Sequence, residues 1–425
     1  MEKKDFKLLL SLPLVVAALG YFVDIYDLLL FGIVRVASLK SLGVDDSQLL
    51  EQGEYLIRMQ MAGLLIGGLI WGVMGDKKGR LSVLFGSILL YSLANIANGF
   101  VTSVNQYAAL RFIAGIGLAG ELGAGITLVS EVLPTNLRGY GTTLVATVGL
   151  FGAVVANFVV NIFPDWRISY FVGGGLGLLL LIARVSVFES DIFLKVKEKT
   201  TDRGNFFKLF NDPKRFKRFA GCILIGLPIW YVIGILVTFS PEFAHEMGID
   251  GTVTAGNAIM FSYLGLAAGD LSSGIFSQVF RSRKKIVLTY IFITLIFILA
   301  YLFNPFNSTA LFYTACFCLG IGIGYWALFV TIAAEQFGTN LRSTVATTVP
   351  NFIRGTVIPI TFGFKFFRDT IEQAFSSSMD AATAHKHGMI FGALIVGLIT
   401  IVVALLALRM IDETFSKDMN YLEKE

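Results

Sequence analysis

SEVLPTNLRG, residues 130–139, returns as AEQFGTNLRS at 334–343. Glu131 and Glu335 stand 204 positions apart, as do Arg138 and Arg342, so the pattern recurs at a spacing close to half the chain. Each copy ends the fourth long apolar block of its half. Reading outward, such blocks fall near 8–35, 54–75, 81–101, 106–133, 139–162 and 168–188, then near 219–239, 256–280, 286–303, 309–334, 343–367 and 388–410. One long polar stretch separates the two sets. Residues 1–188 and 219–425 therefore read as two copies of a six-block unit, joined by a linker at 189–218.

Composition names the solvent of those blocks. Of 425 residues, 55% are hydrophobic and 15% charged, against about 25% charged in soluble domains. Mean hydropathy is +0.73. About 20 apolar residues cross a bilayer as a helix, so twelve blocks imply twelve crossings. The runs are continuous, whereas barrel strands would alternate in segments of about ten residues. The expected fold is an all-α integral membrane protein. MEKKDFK followed by an apolar run resembles a signal peptide, but the run passes Leu30 without a small-residue cleavage site, so it reads as a retained first helix.

Basic residues orient the chain. Lys3, Lys4 and Lys7, then Lys77, Lys78 and Arg80, then Arg138, then Lys195 to Arg218, then Arg281, Arg283, Lys284 and Lys285 occupy alternate connections. The positive-inside rule makes those connections, and both termini, cytoplasmic in a cell membrane. A net charge of +4 leaves no nucleic-acid footprint, and Cys222, Cys316 and Cys318 lack disulfide or zinc spacing. No cofactor is expected.

GVMGDKKGRL at 72–81, with Gly72, Asp76, Lys77, Gly79 and Arg80, resembles the loop signature of the major facilitator superfamily. RFIAGIGLAGELGAGITLVSEVLPTNLRG at 111–139 and DETFSKDMNYLE at 412–423 are similar to the sugar-porter and metabolite:H⁺ symporter branches. The Gly-Pro pair of antiporters is absent from VATVGLFGAVVANFVV. The resemblance implies two pseudo-symmetric six-helix bundles, no enzymatic activity, alternating access as a monomer, and a small-molecule substrate. The second-half copy of the loop signature keeps Arg281, Arg283, Lys284 and Lys285 but no acidic partner at the aligned position.

Charges within the membrane are costly, about 2.5–3.5 kcal/mol each on insertion scales, so each asks for a partner or a purpose. Asp24 and Asp27 sit three apart on one face of the first helix, and Asp27 matches Arg111 of the fourth in depth. Such a pair is either a proton switch, closed when the acid is ionised and open when it is protonated, or a permanent lock between two helices. The resemblance favours coupling to protons at Asp27 and Arg111. Glu121, among Gly117, Gly120 and Gly123, is a second proton carrier or a buried acid bonded to the next helix.

In the second half, Arg354 either grips a substrate carboxylate in bidentate fashion or neutralises Asp270. Asn351, Trp230 and Tyr231 are candidates for the substrate wall, and Arg58 for the cavity mouth or the headgroup region. Gly72, Asp76, Gly79, Arg80, Glu131, Arg138, Glu189, Glu335, Arg342 and Arg409 form a candidate cytoplasmic gate or, read more simply, capped and interfacial helix ends. The excess of arginine points to an organic anion. The alternative is a sugar or polyol, and a more remote one is a transporter-like membrane sensor.

Overall fold

In a bilayer every backbone amide must find its partner inside the chain, and the described residues form helices with no strands. The structure is a computed structural model that describes residues 8, 11–125, 133, 138–184, 206–303, 308–338 and 341–415, without the side chains of 76, 80, 138–140, 142–143 and 342–343. The helices are α1 (Leu12–Ser41), α2 (Leu49–Lys78), α3 (Arg80–Asn98), α4 (Val104–Gly125), α5 (Arg138–Ile162) and α6 (Trp166–Arg184). They continue with α7 (Pro213–Val237), α8 (Ala255–Val279), α9 (Arg283–Phe303), α10 (Thr309–Glu335), α11 (Arg342–Gly355 and Val357–Phe375) and α12 (Ala381–Ala407). A short helix, Ser240–Met247, extends α7.

Eleven of these are long and apolar enough to cross a membrane. The exception is α11, which is divided at Thr356 into Arg342–Gly355 and Val357–Phe375. Its first segment, RSTVATTVPNFIRG, is polar because it is buried: Thr344, Thr347, Thr348, Asn351 and Arg354 are all shielded from solvent and lipid. Expected from the sequence as one apolar block, α11 is instead the most polar helix of the core.

Helices α1–α6 pack mainly on one another, and so do α7–α12. Reciprocal glycines set the tightest contact in each group. A Cβ on Gly63 of α2 would lie 2.0 Å from the Phe112 carbonyl of α4, and one on Gly265 of α8 would lie 2.0 Å from the Phe317 carbonyl of α10. These contacts repeat one design, as do the serine caps Ser103 on α4 and Ser308 on α10. The most extensive contacts between the groups are those of α2 with the first segment of α11 and of α5 with α8; α1 also touches α8, and α2 touches the second segment of α11. Large apolar side chains such as Leu179, Ile182, Ile275 and Phe366 face outward, where lipid takes the place of water.

Candidate functional site

Where the two groups meet, several helices are interrupted. In α10 the helix breaks at Gly324, whose Cα abuts Gly269 of α8, and restarts at Trp326. The Asp270 carboxylate accepts the Ala327 amide at 3.0 Å, satisfying a donor that the restart exposes. In α7 the chain breaks near Gly226, restarts at Leu227, and runs through a π segment, Val232–Val237. These breaks aim Trp230 and Trp326 at the centre.

There Arg354, fully buried, lies 5.7 Å from the ring of Trp230 and 5.7 Å from that of Trp326, and the two indoles meet edge to face at 6.1 Å. Tyr21 of α1 accepts the Trp326 indole N–H at 3.2 Å. Tyr21, Ile25, Leu150, Tyr263 and Leu266 complete the wall. Asp24 of α1 faces the guanidinium, with Oδ2 3.7 Å from Nη2. This is longer than a hydrogen bond. No nitrogen of Arg354, neither oxygen of Asp24, and not the Trp230 N–H has a hydrogen-bonding partner. A second cavity, about 30 Å³ and lined by Leu28, Phe31, Gly32, Met61 and Gly234, adjoins across Trp230 and Ile233.

Asp27 is one turn away and belongs to a different environment. Arg111 donates to the Asp27 backbone carbonyl at 3.3 Å and to Asn95 at 3.2 Å, beneath the rings of Tyr170 and Phe31. The Asp27 carboxylate abuts Gly173 of α6 instead, inside the first six helices. Arg111 is thus close enough to act on the Asp27 carboxylate by charge, while its hydrogen bonds go to the Asp27 main chain and to Asn95. Glu121 forms a buried two-pronged pair with Arg184, at 2.9 and 2.6 Å, and accepts from Ser87. Arg184 also reaches the Leu84 carbonyl.

Other residues singled out in the sequence have structural partners. Asp270 caps α10 and does not neutralise Arg354. Asn351 donates to the Ala119 carbonyl of α4 at 2.8 Å and to Thr347 of its own helix, tying the two groups together. The Tyr231 hydroxyl points away from the centre, to the Ala393 carbonyl of α12. Arg58 pairs with Glu54 and lies over Phe362 of α11.

Two sets of contacts close the centre from either end. On the side where α1 begins, Gly68, Gly72 and Gly123 let Asn351, Thr348 and Thr347 of α11 approach closely. Gly79, at φ 103°, turns α2 directly into α3, a conformation that favours glycine. Glu335 pairs with Arg283 of α9, within the second six helices. Arg409 is exposed at the end of α12. Glu131 and Glu189 lie outside the described residues, as do the side chains of Asp76, Arg80, Arg138 and Arg342.

On the opposite side, Arg35 of α1 pairs with Glu242 beyond α7 at 2.7 Å. Arg368 of α11 reaches Glu54 of α2, Lys365 reaches Glu51, and Asn157 of α5 donates to Asn257 of α8. None of these partners was legible in sequence. Their sole signal was polarity near helix ends that face the same depth.

The family model described as Major Facilitator Superfamily matches residues 17–356. The sialic acid transporter NanX of Escherichia coli (strain K12) is 27% identical over 336 residues, 77% of this chain and 79% of that protein. The niacin transporter NiaP of Acinetobacter baylyi is 25% identical over 367 residues, covering 77% and 80%. The structure of the proton:xylose symporter XylE bound to 6-bromo-6-deoxy-D-glucose superposes with a TM-score of 0.72 at 16% identity, over 98% of each chain. That likeness reports the fold.

Proposed function

We propose that this chain, which belongs to the major facilitator superfamily of membrane transporters, moves a small organic anion bearing a carboxylate, in symport with a proton and by alternating access. One observation carries this reading: a guanidinium fully buried between two indoles, without a single hydrogen bond, at the junction of the two helix groups. Burial of a cation is costly unless it is paired, and a planar fork of donors matches a carboxylate in two places at once. Sialic acid and niacin, the substrates in the names of two relatives, both carry a carboxylate.

The groups meet mainly through α2 with α11 and α5 with α8, and polar contacts such as Arg35 with Glu242 and Asn351 with the Ala119 carbonyl lie on either side of the central site. A cavity of about 30 Å³ has room for a water or two and no more, so a substrate enters only when the helices around it rearrange. Rocking of one group on the other would open each end in turn. The Gly79 side and both termini face the cytoplasm of a cell bounded by this membrane, a reading that the basic connections support. The transporter acts as a monomer and uses no cofactor besides the coupling proton.

The test is uptake of radiolabelled nicotinate or sialic acid into proteoliposomes whose interior is more alkaline than the medium. We expect accumulation above equilibrium, and its loss in Arg354→Gln. Uptake of neutral sugars alone, or carboxylate accumulation that is unchanged by Arg354→Gln, overturns the reading.

A further inference from the structure

The central ion pair is strained for partners. Asp24 and Arg354 are both fully buried, they come from different helix groups, and their closest approach is 3.7 Å with no hydrogen bond on either side. The other fully buried guanidiniums are already committed: Arg35 to Glu242, Arg111 to Asn95 and the Asp27 carbonyl, Arg184 to Glu121. Among the described residues, an anion that enters the crevice therefore meets one fully buried guanidinium without a hydrogen bond, and that guanidinium already faces a carboxylate.

Two carboxylates cannot both stay ionised beside one guanidinium in a site that excludes water; one of them takes a proton. We infer that Asp24 and the transported carboxylate compete for Arg354, so that each anion binds together with one proton, which Asp24 accepts. This rests on the carboxylate reading above. The charge balance is simple. Before binding, Arg354 (+1) and Asp24 (−1) sum to zero; afterwards Arg354 (+1), the substrate (−1) and neutral Asp24 again sum to zero. The proton comes from the solution to which the site is open, and one of the Asp24 oxygens holds it until the anion leaves and the original pair can form again. Carriage of anion and proton is thereby electroneutral and one to one.

The surroundings leave Asp24 as the group that responds. Tyr21 shares its helix, Tyr263 of α8 and Tyr91 of α3 lie near it, and Trp230 and Trp326 flank its partner Arg354 from α7 and α10. Glu121 of α4 is neutralised by Arg184 of α6. Asp27, on the next turn, is sealed against Gly173 and shares no cation with the crevice.

The experiment titrates the purified full-length protein with nicotinate, and with sialic acid in parallel, in weakly buffered detergent solution containing a pH indicator. About one proton should be taken up for each anion bound, with affinity falling about tenfold per pH unit in the alkaline range. Asp24→Asn should bind without proton uptake, with an affinity that is level across pH. Binding to the wild type without proton uptake overturns the inference, as does uptake that persists in Asp24→Asn. Should that variant fail to fold, wild-type proteoliposomes decide: accumulation driven by the pH gradient should not change when a potassium diffusion potential is imposed, and stimulation by the potential overturns the inference. Failure of every carboxylate to bind overturns the carboxylate reading itself, a separate outcome.

Discussion

Glu242→Gln should open the far side of the crevice. The Arg35 guanidinium is fully buried, 2.7 Å from a Glu242 carboxylate that is 21% exposed. Its remaining contacts are the Leu49 and Thr238 carbonyls, both at 3.4 Å, and the ring of Phe239 at 4.7 Å. Breaking a fully buried pair costs about 3–5 kcal/mol; partial exposure of Glu242 lets water recover part of this, which leaves about 2 kcal/mol. The pair joins α1 to the extension of α7, so the loss falls on the state in which this side is closed. At 1.4 kcal/mol per factor of ten, closure should weaken about thirtyfold.

The assay places a cysteine at Ile233, which lines both cavities, after Cys222, Cys316 and Cys318 have been replaced. A membrane-impermeant maleimide added outside should label Glu242→Gln up to about thirtyfold faster than its parent. Replacing both Arg35 and Glu242 by methionine should restore slow labelling, since two apolar groups of similar volume leave no orphan charge. An unchanged rate in Glu242→Gln would show that this pair does not hold the far side shut.

Further expectations concern stability. Glu121→Gln strips Arg184 of its buried partner and should destabilise the protein by about 3–5 kcal/mol, seen as a lower melting temperature in detergent. Gly63→Ala and Gly265→Ala should each lower the melting temperature, because the added methyl meets backbone at 2.0 Å, whereas Gly175→Ala, with nothing within 4 Å, should not. Glu413, outside the membrane, caps α9: partial burial works against its charge, yet hydrogen bonds from Ser282 and from the amides of Arg283, Phe415 and Lys284 hold its carboxyl below the ordinary 4.5. A depressed value stabilises the fold above the unfolded value and loses that effect as pH falls through the folded one, so the melting difference between wild type and Glu413→Gln should shrink from pH 7 to pH 4.

The crossings and the duplication were legible because hydrocarbon demands long apolar helices and because the repeat at 130–139 and 334–343 survives in the residues. Arg354 and Trp230 were also legible as intramembrane polar and aromatic groups. What could not be read was which acid faces which base. Asp24 and Asp27 differ by about 60° around α1 and about 4.5 Å along it, and that offset sends one to Arg354 across the crevice and the other to Gly173 inside the first group. Trp326 was hidden for a different reason: its position follows from the break at Gly324, which depends on close approach to Gly269 rather than on any local turn signal. Asp270, read as a counter-charge for Arg354, has a backbone partner that no spacing announces. Arg35 and Glu242 lie in different halves of the chain, and only packing brings them together.

Thermal-shift measurement of the purified protein against a panel of small carboxylates and neutral sugars asks whether Arg354 holds a carboxylate. A higher melting temperature is expected with at least one carboxylate, and no such rise in Arg354→Gln. A rise with neutral sugars and none with any carboxylate would contradict that expectation.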